Sequence, residues 1–103
     1  FQNSAMHMRV ERTMLRARLR TEDSDWRDAE IKLNQVIGNN DGWFQWGGSD
    51  LSESTRELRL SIEGGACLPI LRAELRDEHG NWNTRNLNLG ERLINRNGHF
   101  ELR

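Results

Sequence analysis

The sequence is poor in several things that small proteins often rely on. Of its 103 residues one is cysteine, Cys67, and a single thiol cannot close an internal disulfide. No cystine scaffold holds the domain, which is compatible with a reducing compartment. No charge of one sign dominates: 15 basic residues face 16 acidic ones, and a net charge of −1 argues against a strongly basic nucleic-acid binder. Lysine is almost absent, since Lys32 stands beside 14 arginines. No apolar run approaches the ~20 residues of a membrane span, and the Arg-rich first twenty residues lack a signal-peptide pattern. The expectation is a cytoplasmic or unconventionally secreted protein with no membrane partner. His7, His79 and His99 lie in separate segments without metal-ligand spacing, Cys67 has no nearby base, and no glycine-rich phosphate loop opens a helix. We therefore expect no catalytic residue, no metal and no cofactor.

What the chain does have is an internal repeat. Shifted by 56 residues, Leu15–Trp46 lies over Leu71–Leu102 without a gap, and 11 of the 32 positions are identical. They include Leu15/Leu71, Ala17/Ala73, Leu19/Leu75, Trp26/Trp82, Leu33/Leu89, Asn39/Asn95 and Gly42/Gly98. A shorter match at a shift of 50 sets Ser4, Arg9 and Val10 over Ser54, Arg59 and Leu60. The difference of six residues locates an insertion around Ile62–Leu68. Two copies, about 1–50 and 51–103, are too few for a stacked array, so a closed pseudo-symmetric domain is expected.

Within each copy the period is two. Leu15, Ala17 and Leu19 alternate with Arg16, Arg18 and Arg20, the pattern of a half-buried strand with a solvated face. Leu71, Ala73 and Leu75 repeat it. Met6, Met8 and Val10, then Leu58, Leu60 and Ile62, read as the preceding strands. Asp41-Gly42 and Asn97-Gly98 are two-residue hairpin signals, because both central residues of a type I′ turn need positive φ. Leu33–Ile37 and Leu89–Ile94 are read as short helical turns, and 77–81 as a polar turn. Trp26 and Trp82 occupy equivalent positions and are read as core, whereas Trp43 is placed in solvent after its turn. The fold class is all-β.

These residues resemble the cyanovirin-N homology family of small lectins, over nearly the whole chain. The resemblance is carried by Ile31 to Asn39 with Asp41-Gly42, by Leu87-Asn88-Leu89 through Ile94-Asn95 with Asn97-Gly98, and by Leu71-Arg72-Ala73-Glu74 and Trp46-Gly47-Gly48. It implies a single domain of two pseudo-symmetric halves, triple-stranded sheets completed by exchanged β-hairpins. One half would be 1–35 plus 90–103 and the other 36–89. The family's pattern implies a monomer that can swap halves through the hinge Gly47-Gly48-Ser49-Asp50. The founding members close each repeat with a disulfide. Here those positions hold Ala5 and Leu19, Thr55 and Leu75, so packing must replace bridges worth about 3 kcal/mol each on the chain-entropy model.

The resemblance also implies binding of mannose-rich oligosaccharides, with α1,2-linked mannose preferred, in a polar pocket on each half. Sugar hydroxyls both donate and accept, so carboxylates, amides, hydroxyls and backbone groups can read them pairwise. Carried over position by position, one pocket comprises Asn39, Asp41, Ser49, Asp50, Glu53, Ser54, Asp77, Glu78 and Gly80. The other comprises Asn3, Ser4, Arg20, Glu22, Asn95, Arg96 and Asn97. The first of these is favoured, although Asp77 and Glu78 depart from the family's pattern, as Arg20 does in the other. Without the resemblance, Asn39, Asp41, Asn95 and Asn97 read as ordinary hairpin-flanking residues. The rival functions are a structural or interaction module of the same fold that has lost sugar binding, and single-strand RNA binding by arginine and tryptophan. The arginines alternate along strands with acidic neighbours such as Glu11 and Glu74, which makes them a solvated face with cross-strand ion pairs and argues against nucleic acid.

Overall fold

The period-two alternation is realised as strand in every segment where it was read. In the computed structural model, which describes residues 1–103, β1 (Ala5–Glu11), β2 (Met14–Arg20) and β3 (Trp26–Lys32) form an antiparallel sheet, followed by the hairpin β4 (Ile37–Asn40) and β5 (Trp43–Trp46). The second repeat gives β6 (Thr55–Glu63), β7 (Leu68–Arg76) and β8 (Trp82–Asn88), then the hairpin β9 (Leu93–Arg96) and β10 (His99–Leu102). The inserted residues lengthen β6 and β7 to nine residues each and leave Cys67 exposed at their turn. Both hairpin turns have the positive φ pair that type I′ requires: 49° and 87° at Asp41-Gly42, 48° and 88° at Asn97-Gly98.

The helical turns are shorter than expected. They are single 3-10 turns at Leu33–Gln35 and Leu89–Glu91, because Ile37 and Leu93 are already paired in the hairpins. Two more precede the first strands, at Gln2–Ser4 and Leu51–Ser54. A bulge that the alternation did not reveal interrupts β1 and β6 at the same place in each repeat, with His7 and Glu57 in the left-handed region.

Leu15, Leu33, Ile37 and Leu51 from the first repeat and Leu71, Ala73, Leu75, Leu89 and Leu93 from the second form one continuous core. Each hairpin packs on the sheet of the other repeat, β5 against β8 and β10 against β3. The reason is the shortage of apolar area: a three-stranded sheet with one buried face needs a lid, and four-residue strands have no independent stability. The tryptophans correct the sequence reading. Trp82 is 37% exposed and Trp26 half-buried, and neither belongs to the core. Both lie directly opposite an arginine on the outward face, Trp26 beside Arg20 and Trp82 beside Arg76, so the strand alternation itself turns them out. The Arg56 guanidinium covers the Trp82 ring at 4.1 Å. Trp43 is 59% exposed, as read.

At the positions where a disulfide would stand, Ala5 faces Leu19 and Thr55 faces Leu75 across paired strands. Both leucines are fully buried, so packing does replace the bridge. The Thr55 hydroxyl is buried there without a hydrogen-bond partner. An unsatisfied buried hydroxyl costs about 1–3 kcal/mol. Thr55→Val is therefore expected to raise the urea midpoint, a gain of about 1 kcal/mol; an unchanged or lower midpoint contradicts it.

Candidate functional site

The hairpin turns place an amide where three chain segments meet. In the second half, Asn39 on β4 donates to the Ser54 hydroxyl at 2.8 Å and to the Arg76 carbonyl at 2.8 Å, while its Oδ1 accepts the Gly42 N–H at 2.8 Å. Asn95 on β9 does the same in the first half: 2.9 Å to the Ser4 hydroxyl, 2.8 Å to the Arg20 carbonyl, and 2.8 Å from the Gly98 N–H. Next along each turn, Asp41 accepts the Glu78 N–H at 2.8 Å and Asn97 accepts the Glu22 N–H at 3.0 Å. These four side chains clamp each hairpin to the other repeat's sheet. Their polar atoms are thereby largely engaged within the protein.

The two ends differ in shape. A concavity of about 270 Å³ opens over Arg20, Thr21, Glu22, Ile94, Asn95, Arg96 and Asn97. No cavity is lined by Asn39 or Asp41, so the hollow lies at the set that sequence reasoning ranked second. The repeat shows why. Ile94 and Arg96 are matched by Gly38 and Asn40, and Gly38 is closed over by the backbone of Ser49, whose nitrogen lies 2.8 Å from where a Cβ would stand. Arg20 makes no ion pair, whereas its counterpart Arg76 lies over the Trp82 ring.

Of the second-half candidates, Asn39, Asp41, Ser54 and Glu78 are brought together, with Asp77 in the same turn. Ser49 bonds only to Asp50, and no hydrogen bond ties the side chains of Ser49, Asp50 or Glu53 to Asn39 or Asp41. Gly80 sits in the 77–81 turn with φ of 83°. In the first half Ser4, Arg20, Glu22, Asn95, Arg96 and Asn97 converge, while Asn3 is exposed on its 3-10 turn. Arg96 is paired with Glu101. Thr21 and Ile94 line the hollow and were missed. Their signal was adjacency, since each lies beside a named candidate. A larger hollow of about 400 Å³ lies on the outer face of β1–β3, where Arg9 and Arg16 already pair with Glu11 and Glu30.

Asp77 anchors its turn. The Asn83 amide, then the Asn81 and His79 N–H groups, hold its carboxyl below the usual range. A folded-state pKa below the unfolded one adds stability at higher pH, and that stability is lost as pH falls through the folded value. Asp77→Asn should accordingly lower the urea midpoint at pH 7 and lose its disadvantage as pH drops below 3.8, the ordinary value. A difference constant from pH 7 to pH 3 contradicts this. Asn39→Ala and Asn95→Ala should each cost about 1–3 kcal/mol in urea unfolding, since each removes at least three bonds and strands the N–H of buried Gly42 or Gly98; losses under about 0.5 kcal/mol, the usual surface range, contradict the clamp.

Comparison with known proteins agrees with this architecture. The CVNH domain family matches residues 1–101. A cyanovirin-N homolog of Neurospora crassa is 48% identical over 101 residues, covering 97% of this chain and 91% of that one. A designed cyanovirin-N homolog lectin superposes with a TM-score of 0.94 at 39% identity, over 100% of this chain and 98% of that one. The Gibberella zeae CVNH structure gives 0.94 at 35% identity, over 99% and 95%. On the repeat, the hairpin arrangement and these matches, the chain belongs to the cyanovirin-N homology family.

Proposed function

We propose that the protein is a lectin that binds mannose-rich oligosaccharides through α1,2-linked mannose in the first-half hollow, without catalysis. The family is one of carbohydrate-binding lectins. The observation that carries the reading is the hollow's lining: unpaired Arg20, the free amide hydrogens of Asn97 and the Thr21 hydroxyl surround the half-buried Ile94. A pyranose presents hydroxyls at its rim and C–H groups on its face. Ile94 offers an apolar seat, and the surrounding donors and acceptors read the hydroxyls. The arginines donate only, so they select oxygens that accept. At about 270 Å³ the hollow suits a terminal unit or two rather than a branched glycan.

The second half supports the rival reading at its own end, because no hollow forms over Asn39 and Asp41. With one working pocket a monomer would not cross-link glycans, and avidity would need a second copy or a fused partner.

Titration of ¹⁵N-labelled protein with α1,2-linked mannobiose tests the reading. Amide shifts should cluster at Arg20–Glu22 and Ile94–Asn97, and Arg20→Ala should weaken binding about tenfold, the effect of losing one charged hydrogen bond. Shifts centred on Asn39, Asp41 and Glu53 would move the site to the second half. No shifts at millimolar sugar would leave the module that has lost sugar binding.

A further inference from the structure

The two sheets carry the same arginine pair on their outward faces, and in only one of them does every arginine meet a carboxylate. Arg9 faces Arg16 across β1 and β2, and Arg59 faces Arg72 across β6 and β7. Like charges directly opposite on a sheet repel. In the first sheet Glu11 bridges them, 2.8 Å from Arg9 and 3.3 Å from Arg16, and Glu30 on β3 also bonds Arg16. In the second sheet the position of Glu11 is Ser61 and that of Glu30 is Asn86. Glu63 engages Arg72 through Nε at 2.7 Å and also through Nη2, as Glu11 engages the Nε of Arg16, and leaves the Arg72 Nη1 unbonded. Arg59 bonds only the Glu57 carbonyl at 3.1 Å, just as Arg9 bonds the His7 carbonyl at 3.0 Å, and has no carboxylate at all. The bulge thus holds Arg59 and Arg9 alike, and what Arg59 lacks is the carboxylate that Glu11 gives Arg9.

We propose that Arg59, with the open Nη1 edge of Arg72 beside it, forms a second ligand site, which takes the sulfate or carboxylate of an acidic polysaccharide where Glu11 stands against Arg9 in the first sheet. A guanidinium binds such oxyanions with paired N–H donors. The surroundings favour a glycan over a nucleic acid. On β8 the neighbours across the face are Thr84, Asn86 and Asn88, hydroxyl and amide groups suited to sugar hydroxyls. The one aromatic ring there, Trp82, already carries the Arg56 guanidinium at 4.1 Å, where a stacked base would have to compete with it. The site lies on the outer sheet face, separate from the hollow at Arg20 and Ile94, and stands or falls independently of it.

The test uses the full chain and three probes: dextran sulfate, neutral dextran and single-stranded poly(U). Dextran sulfate should bind with an affinity that falls as salt rises, with amide shifts at Arg59 and Arg72, and neutral dextran should not bind. Ser61→Glu supplies the missing bridge internally and should weaken dextran sulfate at least tenfold without loss of folding. Arg59→Gln should do the same, while both variants keep the wild-type response to mannobiose. Equal binding of both dextrans, shifts elsewhere than this face, or a Ser61→Glu variant that binds as well as wild type would overturn the site. Poly(U) bound more tightly than dextran sulfate on the same residues would replace the polysaccharide with a nucleic acid and overturn the proposal.

Discussion

The carboxamides of Asn39 and Asn95 decide how two weak units become one protein. Each repeat makes a three-stranded sheet with an uncovered apolar face and a four-residue hairpin that cannot stand alone. The fold closes by laying each hairpin on the other repeat's sheet, and the amide at the hairpin's turn fixes it there. One side chain satisfies a hydroxyl, a strand-end carbonyl and a turn N–H drawn from three segments. In the partly buried position it occupies, leaving those groups unpaired would be costly. The type I′ turn beside it supplies the direction, because Gly42 and Gly98 turn their N–H back to the amide.

The same constraint explains where a hollow can form. A clamp has to bring hairpin and sheet ends together, and the rim of that junction is a ring of polar backbone and side chains. Whether a hollow remains depends on what flanks the clamp. Ile94 and Arg96 build walls and a floor in one half. Gly38 in the other lets the 47–50 segment lie against β4, where Gly38 and Asp50 pair directly, and the space closes. Pseudo-symmetry of the backbone therefore coexists with asymmetry of the surface. The outward sheet faces show it again: Glu11 and Glu30 pair both arginines of the first sheet, whereas Glu63 engages only Arg72 of the second and Arg59 has no carboxylate.

Much of the fold was legible because it is encoded locally and twice. The shift of 56 residues, the alternation Leu15–Arg20 and the Asp-Gly and Asn-Gly turns each prescribe backbone geometry through a few neighbouring residues. The six-residue insertion was legible for the same reason. The misreadings concern what side chains do once the chain has folded. Trp26 and Trp82 are large and apolar, so repetition suggested burial, yet the alternation that buries Leu19 and Leu75 turns them outward. The bulges at His7 and Glu57 leave no mark in a two-residue period. The shape of the two ends was not legible either, because a candidate list by residue type does not say that Asn39 and Asn95 are both clamped, or that a glycine lets a neighbouring segment fill the space at one end.

The exchange of hairpins through the asparagine clamp is most directly tested by a double-mutant cycle between Ser4 and Asn95. The two are 91 positions apart in sequence and joined at 2.9 Å in the structure. With Ser4→Ala, Asn95→Ala and the double variant unfolded in urea, the account predicts a coupling free energy of about 1 kcal/mol between the two sites. Additivity within about 0.3 kcal/mol would mean that the residues do not touch in solution, and the clamp would not be what closes the fold.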